Sequence, residues 1–154
     1  MRRNELDELG RILRSAKRLA RRYYALTGRP LGITGEVAEY EAVRLLNLER
    51  SPVRQPGYDG IRRRKGRVTK VQVKARCILD PSKAGQRIGQ IKLNKEWDSV
   101  VLVILDADLE PVELWEAGRA AVTRALLRPG SKARNERGAL ALNQFKQIAR
   151  RVWP

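Results

Sequence analysis

Between residues 4 and 26 apolar side chains return at steps of three and four: Leu6, Leu9, Leu13, Ala16, Ala20 and Tyr23. That period marks one face of an α-helix. Asn4 can cap it, Glu5, Asp7 and Glu8 load the first turn, arginines fill the last turns and Gly28 follows the end. The stripe reads as core or docking surface, with a homodimer seam as the alternative. A second helical pattern runs through TGEVAEYEAVRLLNL, where Thr34 offers an N-cap and Val37, Ala38, Ala42, Leu45 and Leu46 supply an apolar side.

Beyond this helix the pattern changes. Pro52, Pro56 and Gly57 break it and leave room for a short strand, SPVRQ. Residues 57–76 supply two more strands. VVLVILD, residues 100–106, is an uninterrupted apolar run, as expected of a central strand covered on both faces. PVELWEA reads as another strand and residues 117–127 as helix. Phe145, Ile148, Ala149 and Val152 mark a final helix after an Asn143 cap. RPGSKARNERG is basic and aperiodic, hence a loop. No repeat or linker divides the chain. The expectation is one α/β domain over residues 1–154, with an N-terminal helix (1–28), a core (32–127) and a C-terminal helix (139–154). Its element order predicts a sandwich around a mixed sheet flanked by helices.

The hairpin GYDGIRRRKGRVTKVQVKAR, residues 57–76, carries the most information. If Lys65-Gly66 forms a two-residue turn, Asp59 lies opposite Gln72, with Cβ atoms about 4.5–5.5 Å apart. The two-residue strand period then puts Lys74 beside Gln72 and turns Val71, Val73 and Ala75 into the core. A solvated strand face would show the same alternation. Asp59 across from Gln72, and a preceding helix bearing Glu36 and Glu39 at i and i+3, shift the balance towards a site.

Composition narrows the chemistry. The 154 residues are 42% hydrophobic, enough for one core that buries roughly 70% of the unfolded surface. No run approaches the ~20 apolar residues of a membrane span, and the start lacks the apolar region of a signal peptide. Without histidine, and with Cys77 the one cysteine, histidine-based catalytic triads, an internal disulfide and the usual zinc sites are excluded. The lone thiol fits a reducing cytoplasm. Carboxylates, amides, lysines and hard cations remain. A net charge of +16 and a pI near 11.0 point to a polyanionic partner, nucleic acid first. Arg62, Arg63, Arg64, Lys65 and Arg67 at the hairpin tip, and Lys132, Arg134 and Arg137 in the late loop, are the candidate phosphate contacts.

GxxxE on a helix, a short strand, then GYD-x12-QVK resembles the PD-(D/E)xK nuclease superfamily, in particular its Mrr-like branch with a QxK variant. The resemblance covers residues 32–105. It implies a restriction-endonuclease-like three-layer sandwich with an extra N-terminal helix. It also implies a Mg²⁺- or Mn²⁺-dependent endonuclease acting on DNA. Carried over by motif, Asp59, Gln72, the Val73 carbonyl and Glu36 would hold the metal, with Glu39 the alternative helix carboxylate. Lys74 would handle the attacking water. Gln72 stands where the commoner motif has Glu or Asp: its amide oxygen can coordinate a hard cation but brings no charge. Two other readings stand beside this one. One is an inactive nucleic-acid-binding protein on the same fold; the other is an RNA- or ribosome-associated basic protein with an accidental resemblance.

Overall fold

In the computed structural model, which describes residues 3–52, 56–79 and 85–154, the amphipathic start becomes helix α1 (Arg3–Thr27). Helix α2 (Thr34–Leu46) follows and packs against it. Ile33, not Thr34, flanks the start of α2, with no side-chain cap, and Asn47 in the left-handed region ends it. Gly10 lies where a Cβ would come 2.3 Å from Tyr40 Oη, so the helices meet closely only because that position has no side chain. Lys17 is buried at the same junction, 3.4 Å from Glu41 and 3.1 Å from Glu110. A buried charge of this kind is tolerable because carboxylates surround it.

Among the described residues, six strands form one sheet in sequence order: β1 (Glu49–Arg50), β2 (Gly60–Arg64), β3 (Arg67–Cys77), β4 (Ser99–Leu105), β5 (Pro111–Gly118) and β6 (Arg150–Trp153). The β3–β4 pair is parallel and the others are antiparallel, so the sheet is mixed. All seven residues of β4 are buried, as its unbroken apolar run requires. Val71, Val101, Val103, Leu105 and Leu114 pack under α1 and α2. Val100, Leu102 and Ile104 face the other way, under helix α3 (Arg119–Leu127), helix α5 (Leu142–Ile148) and Ile88, Ile91 and Trp97 of the β3–β4 connection. Arg119 fastens that connection. Its guanidinium sits 4.4 Å from the Trp97 ring centroid and donates to the carbonyls of Leu93 (2.6 Å) and Trp97 (2.7 Å). The protein is thus α/β, a mixed sheet flanked by helices, with a long N-terminal helix.

The ends and loops depart from the periodicity. The edge strand is Glu49–Arg50 rather than SPVRQ: the chain pairs with Ile61 as soon as Asn47 turns it, and Pro52 has no N–H to offer a ladder. Residues 53–55 of that stretch lie outside the described ones. The last helix stops at Ile148, starts after Ala141 rather than Asn143, and gives way to β6, which carries Val152. Residues 139–154 are therefore not one helix, because the open edge of β5 takes up Arg150, Arg151 and Trp153. The basic loop folds one short turn, α4 (Lys132–Asn135), around a buried Arg134.

Candidate functional site

Lys65 (φ 47°) and Gly66 (φ 78°) are both left-handed, the geometry of a type I′ turn. The register follows from it: Gly60 pairs with Val71, Ile61 with Lys70 and Arg64 with Arg67. Asp59 sits one residue before the ladder and faces Gln72. Its N–H donates to the Val71 carbonyl (2.8 Å), and its Oδ2 accepts the Val73 N–H (2.6 Å), so Asp59 grips both neighbours of Gln72. Gln72 and Lys74 align with Val100 and Leu102 of β4, on the sheet face away from α1 and α2, while Val71, Val73 and Ala75 pack towards those helices. The predicted patch therefore exists.

Gly57 makes the approach to Asp59 possible. Its φ is +104°, and a Cβ there would come 2.6 Å from the Glu96 carbonyl oxygen. Gly57→Ala is expected to destabilise the fold by about 2–3 kcal/mol, through strain and backbone collision together. A thermal melt checks it; an unchanged midpoint would mean this turn relaxes freely.

The electrostatics of the patch are unfavourable for the chain alone. Burial pushes the Asp59 carboxyl above its ordinary range, against the opposing pull of the Val73 N–H and the Lys74 charge. Glu39 is raised as well, first by burial, then by the Asp59 charge, with Arg50 opposing and Glu36 adding to the rise. Lys74 is lowered by burial and by Lys92, with Asp59 working the other way. The Gln72 Oε1 atom is buried and has no hydrogen-bond partner. Such an orphan is costly unless something outside the protein side chains satisfies it. Oxygen donors that resist ionisation, beside an unsatisfied amide oxygen, match what a hard cation takes up. Among the described residues, no group of three or more His, Cys, Asp and Glu side chains is gathered to hold a metal ion. A cation here would therefore depend on the amide and on water to complete its shell.

On α2, the half-buried Glu39 feels the Asp59 charge. Glu36 is exposed and acts on Glu39. Gly89 and Lys92 of the β3–β4 connection also border Lys74, with Gly89 positioned so that a Cβ would lie 3.7 Å from Lys74 Cδ. No local pattern singled out either residue, because a long connection brings them over β3.

The basic residues divide into used and available. Arg62 is tied to Glu116 at 2.8 Å, on the sheet face of α2, and Arg63 to Glu49 at 3.1 Å. Arg134 is only 7% exposed and donates to the carbonyls of Arg128 and Pro129, so it serves the loop and not an external phosphate. Lys132 lies 3.8 Å from Glu136, both well exposed. Arg64, Lys65, Arg67 and Arg137 point into solvent. Compared with known proteins, the chain matches no family model and no curated protein. No helix among the described residues is long and apolar enough to cross a membrane.

Proposed function

We propose that this chain is a cytoplasmic, Mg²⁺- or Mn²⁺-dependent endonuclease of the restriction-endonuclease-like type, hydrolysing phosphodiester bonds of DNA. The observation that carries the reading is the buried, partnerless Gln72 Oε1, opposite Asp59 and beside Lys74 on one strand. Asp59 and Gln72 would hold the cation, with one α2 carboxylate, Glu39 or the more exposed Glu36, reaching it through water; the Val73 carbonyl joins them on the motif alone. A divalent cation bound there supplies charge stabilisation to a phosphate and lowers the pKa of bound water. Lys74, held close to Asp59 and depressed by burial, offers a donor to the attacking water or to the developing charge. Exposed Arg64, Lys65 and Arg67 at the hairpin tip would neutralise flanking phosphates.

Supercoiled plasmid should be nicked or cut with Mg²⁺ or Mn²⁺ and left intact in EDTA. Duplex affinity should fall steeply with salt, and replacing Arg64, Lys65 or Arg67 by Ala should lower the log–log slope by about 0.9 each. An affinity that hardly moves between low and moderate salt would remove the tip from the footprint. A second reading, a non-catalytic DNA-binding protein on this fold, draws on the neutral amide of Gln72. Tight, salt-sensitive binding without metal-dependent cleavage would favour it.

A further inference from the structure

The β3–β4 connection and the loop that carries α4 enclose a hollow of about 430 Å³, separate from the Asp59–Gln72 patch. Its floor holds a charge without a counterion. Arg134 is 7% exposed, and among the described residues no carboxylate pairs with it. Its Nη2 donates to the Arg128 and Pro129 carbonyls, and its Nε has no partner. A buried, unpaired charge is costly, and its weakly screened field favours an anion nearby. Arg134 itself is sealed beneath the surface, so the rim must make the contacts. Exposed Gln90, Lys92 and Asn94 come from the connection, and Asn135 from α4. Asn135 spends both amide hydrogens on the Leu126 (2.8 Å) and Arg128 (2.7 Å) carbonyls, which leaves its Oδ1 as an acceptor. Leu127, 63% exposed, adds an apolar wall. The rim is pre-formed. The Lys92 carbonyl accepts from Trp97 Nε1 (3.0 Å), and the Ile91 N–H donates to the Gly138 carbonyl (2.9 Å). Gly138 has a φ of +63°, and a Cβ there would come 2.5 Å from the Ile91 carbonyl oxygen, so only glycine lets the two segments close.

We propose that this hollow takes one unpaired nucleotide of a nucleic-acid strand, its phosphate at Lys92 and its base among Gln90, Asn94 and Asn135. Volume, charge and hydrogen-bonding chemistry select that ligand together. The space is of the size that holds a small ligand, and a base pair is too large for it. The uncompensated charge of Arg134 and the exposed ammonium of Lys92 call for an anion. Carboxamides match the donor–acceptor edges of a base, and Leu127 gives its ring an apolar surface. A phosphate alone would leave the amides and Leu127 unused. Glu136, 3.8 Å from Lys132 on the far rim, repels phosphate there and so sets the direction of the strand. Lys92 is shared between the hollow and the surroundings of Lys74. A strand laid over Lys74 therefore continues across Lys92 into the hollow. Bases inside a duplex are paired and stacked, so this nucleotide enters only from outside the stack. The inference rests on the nuclease reading for the strand over Lys74, and it narrows that substrate to DNA with an unpaired nucleotide beside the scissile bond.

Binding measured in EDTA tests the hollow without cleavage. By fluorescence anisotropy the full chain should hold a duplex with one unpaired nucleotide about tenfold more tightly than the fully paired duplex, the scale of one stacked base. Gln90→Ala combined with Asn94→Ala, and separately Leu127→Ser, should erase that preference and leave affinity for the paired duplex unchanged. All three positions are exposed, so circular dichroism and melting curves should stay native. Lys92→Gln should lower the salt slope with the unpaired duplex by about 0.7–0.9. Equal affinity for the two duplexes, or a preference that survives both variants, would overturn the proposal. So would displacement of the strand by an equimolar free deoxynucleotide, which would give the hollow to a small molecule. Cleavage of paired and unpaired DNA at equal rates would also overturn it, with the nuclease reading left intact. A preference lost in the variants, but with no metal-dependent cleavage, would uphold the hollow and count against the nuclease.

Discussion

Asp59→Asn is expected to abolish metal-dependent DNA cleavage and, at the same time, to make the protein more stable. The loss should be at least ~10²-fold, the usual scale for removing a charged ligand or an electrostatic group from such a site. The gain follows from the same burial. An asparagine Oδ1 can still accept the Val73 N–H, so the contact at 2.6 Å is kept while the desolvated charge goes. Relief of a poorly solvated carboxylate should add about 1 kcal/mol, or roughly 2–4 °C in midpoint for a chain of this size.

The sign can be checked against pH. The folded-state pKa of Asp59 is raised, so the carboxyl's stabilising contribution is present below the unfolded value and lost as pH rises through the folded one. The advantage of Asp59→Asn should therefore be widest at neutral pH and close below about pH 3.9, where aspartic acid is protonated in both states. Glu39→Gln should move stability in the same direction, since burial and Asp59 both raise that carboxyl. If Asp59→Asn instead lowers the midpoint at neutral pH, Asp59 is a structural clasp for β3 and the catalytic reading loses its centre.

How far the sequence reached depended on whether the deciding contacts were local. The Lys65-Gly66 turn needs two left-handed residues, and an Asp–Gln register follows from it by counting, so the patch was legible. The unbroken apolar run of β4 likewise announced a strand covered on both sides. The end of the chain was not legible. Phe145, Ile148, Ala149 and Val152 satisfy a helical step, and only the vacant edge of β5, distant in sequence, draws Arg150–Trp153 into a strand. Spacing alone could not rank Glu36 against Glu39, because the rotation of α2 is set by Val37, Ala38 and Ala42 docking on the sheet. For the same reason the sequence stripe of α1 does not coincide with its buried face, which takes in Lys17 and leaves Tyr23 exposed. Charge counting could not show that Arg62 and Arg134 already have partners within the chain, because those partners lie across the sheet and across a loop.

Gln72→Glu is expected to tighten Mg²⁺ or Mn²⁺ binding by at least tenfold. The change preserves length and shape, fills the position of the partnerless Oε1, and adds one negative charge. A charge contact at ~4 Å is worth about 1 kcal/mol in water and about 4 at an effective dielectric near 20. Tenfold corresponds to about 1.4 kcal/mol, within that span. Without metal the same substitution should cost stability, since it adds a third acid to a place where Asp59 and Glu39 already resist ionisation. The variant should therefore melt below the wild type in EDTA and gain more from added metal, because a ligand that binds only the folded state stabilises by mass action. Cleavage need not rise in step, as extra negative charge also repels the phosphodiester. Calorimetric titration with Mn²⁺ of the wild type, Gln72→Glu and Asp59→Ala gives the decision: tighter for the first variant, abolished for the second. Equal heats from all three proteins would mean that no ion sits between Asp59 and Gln72, and the non-catalytic DNA-binding reading would take precedence.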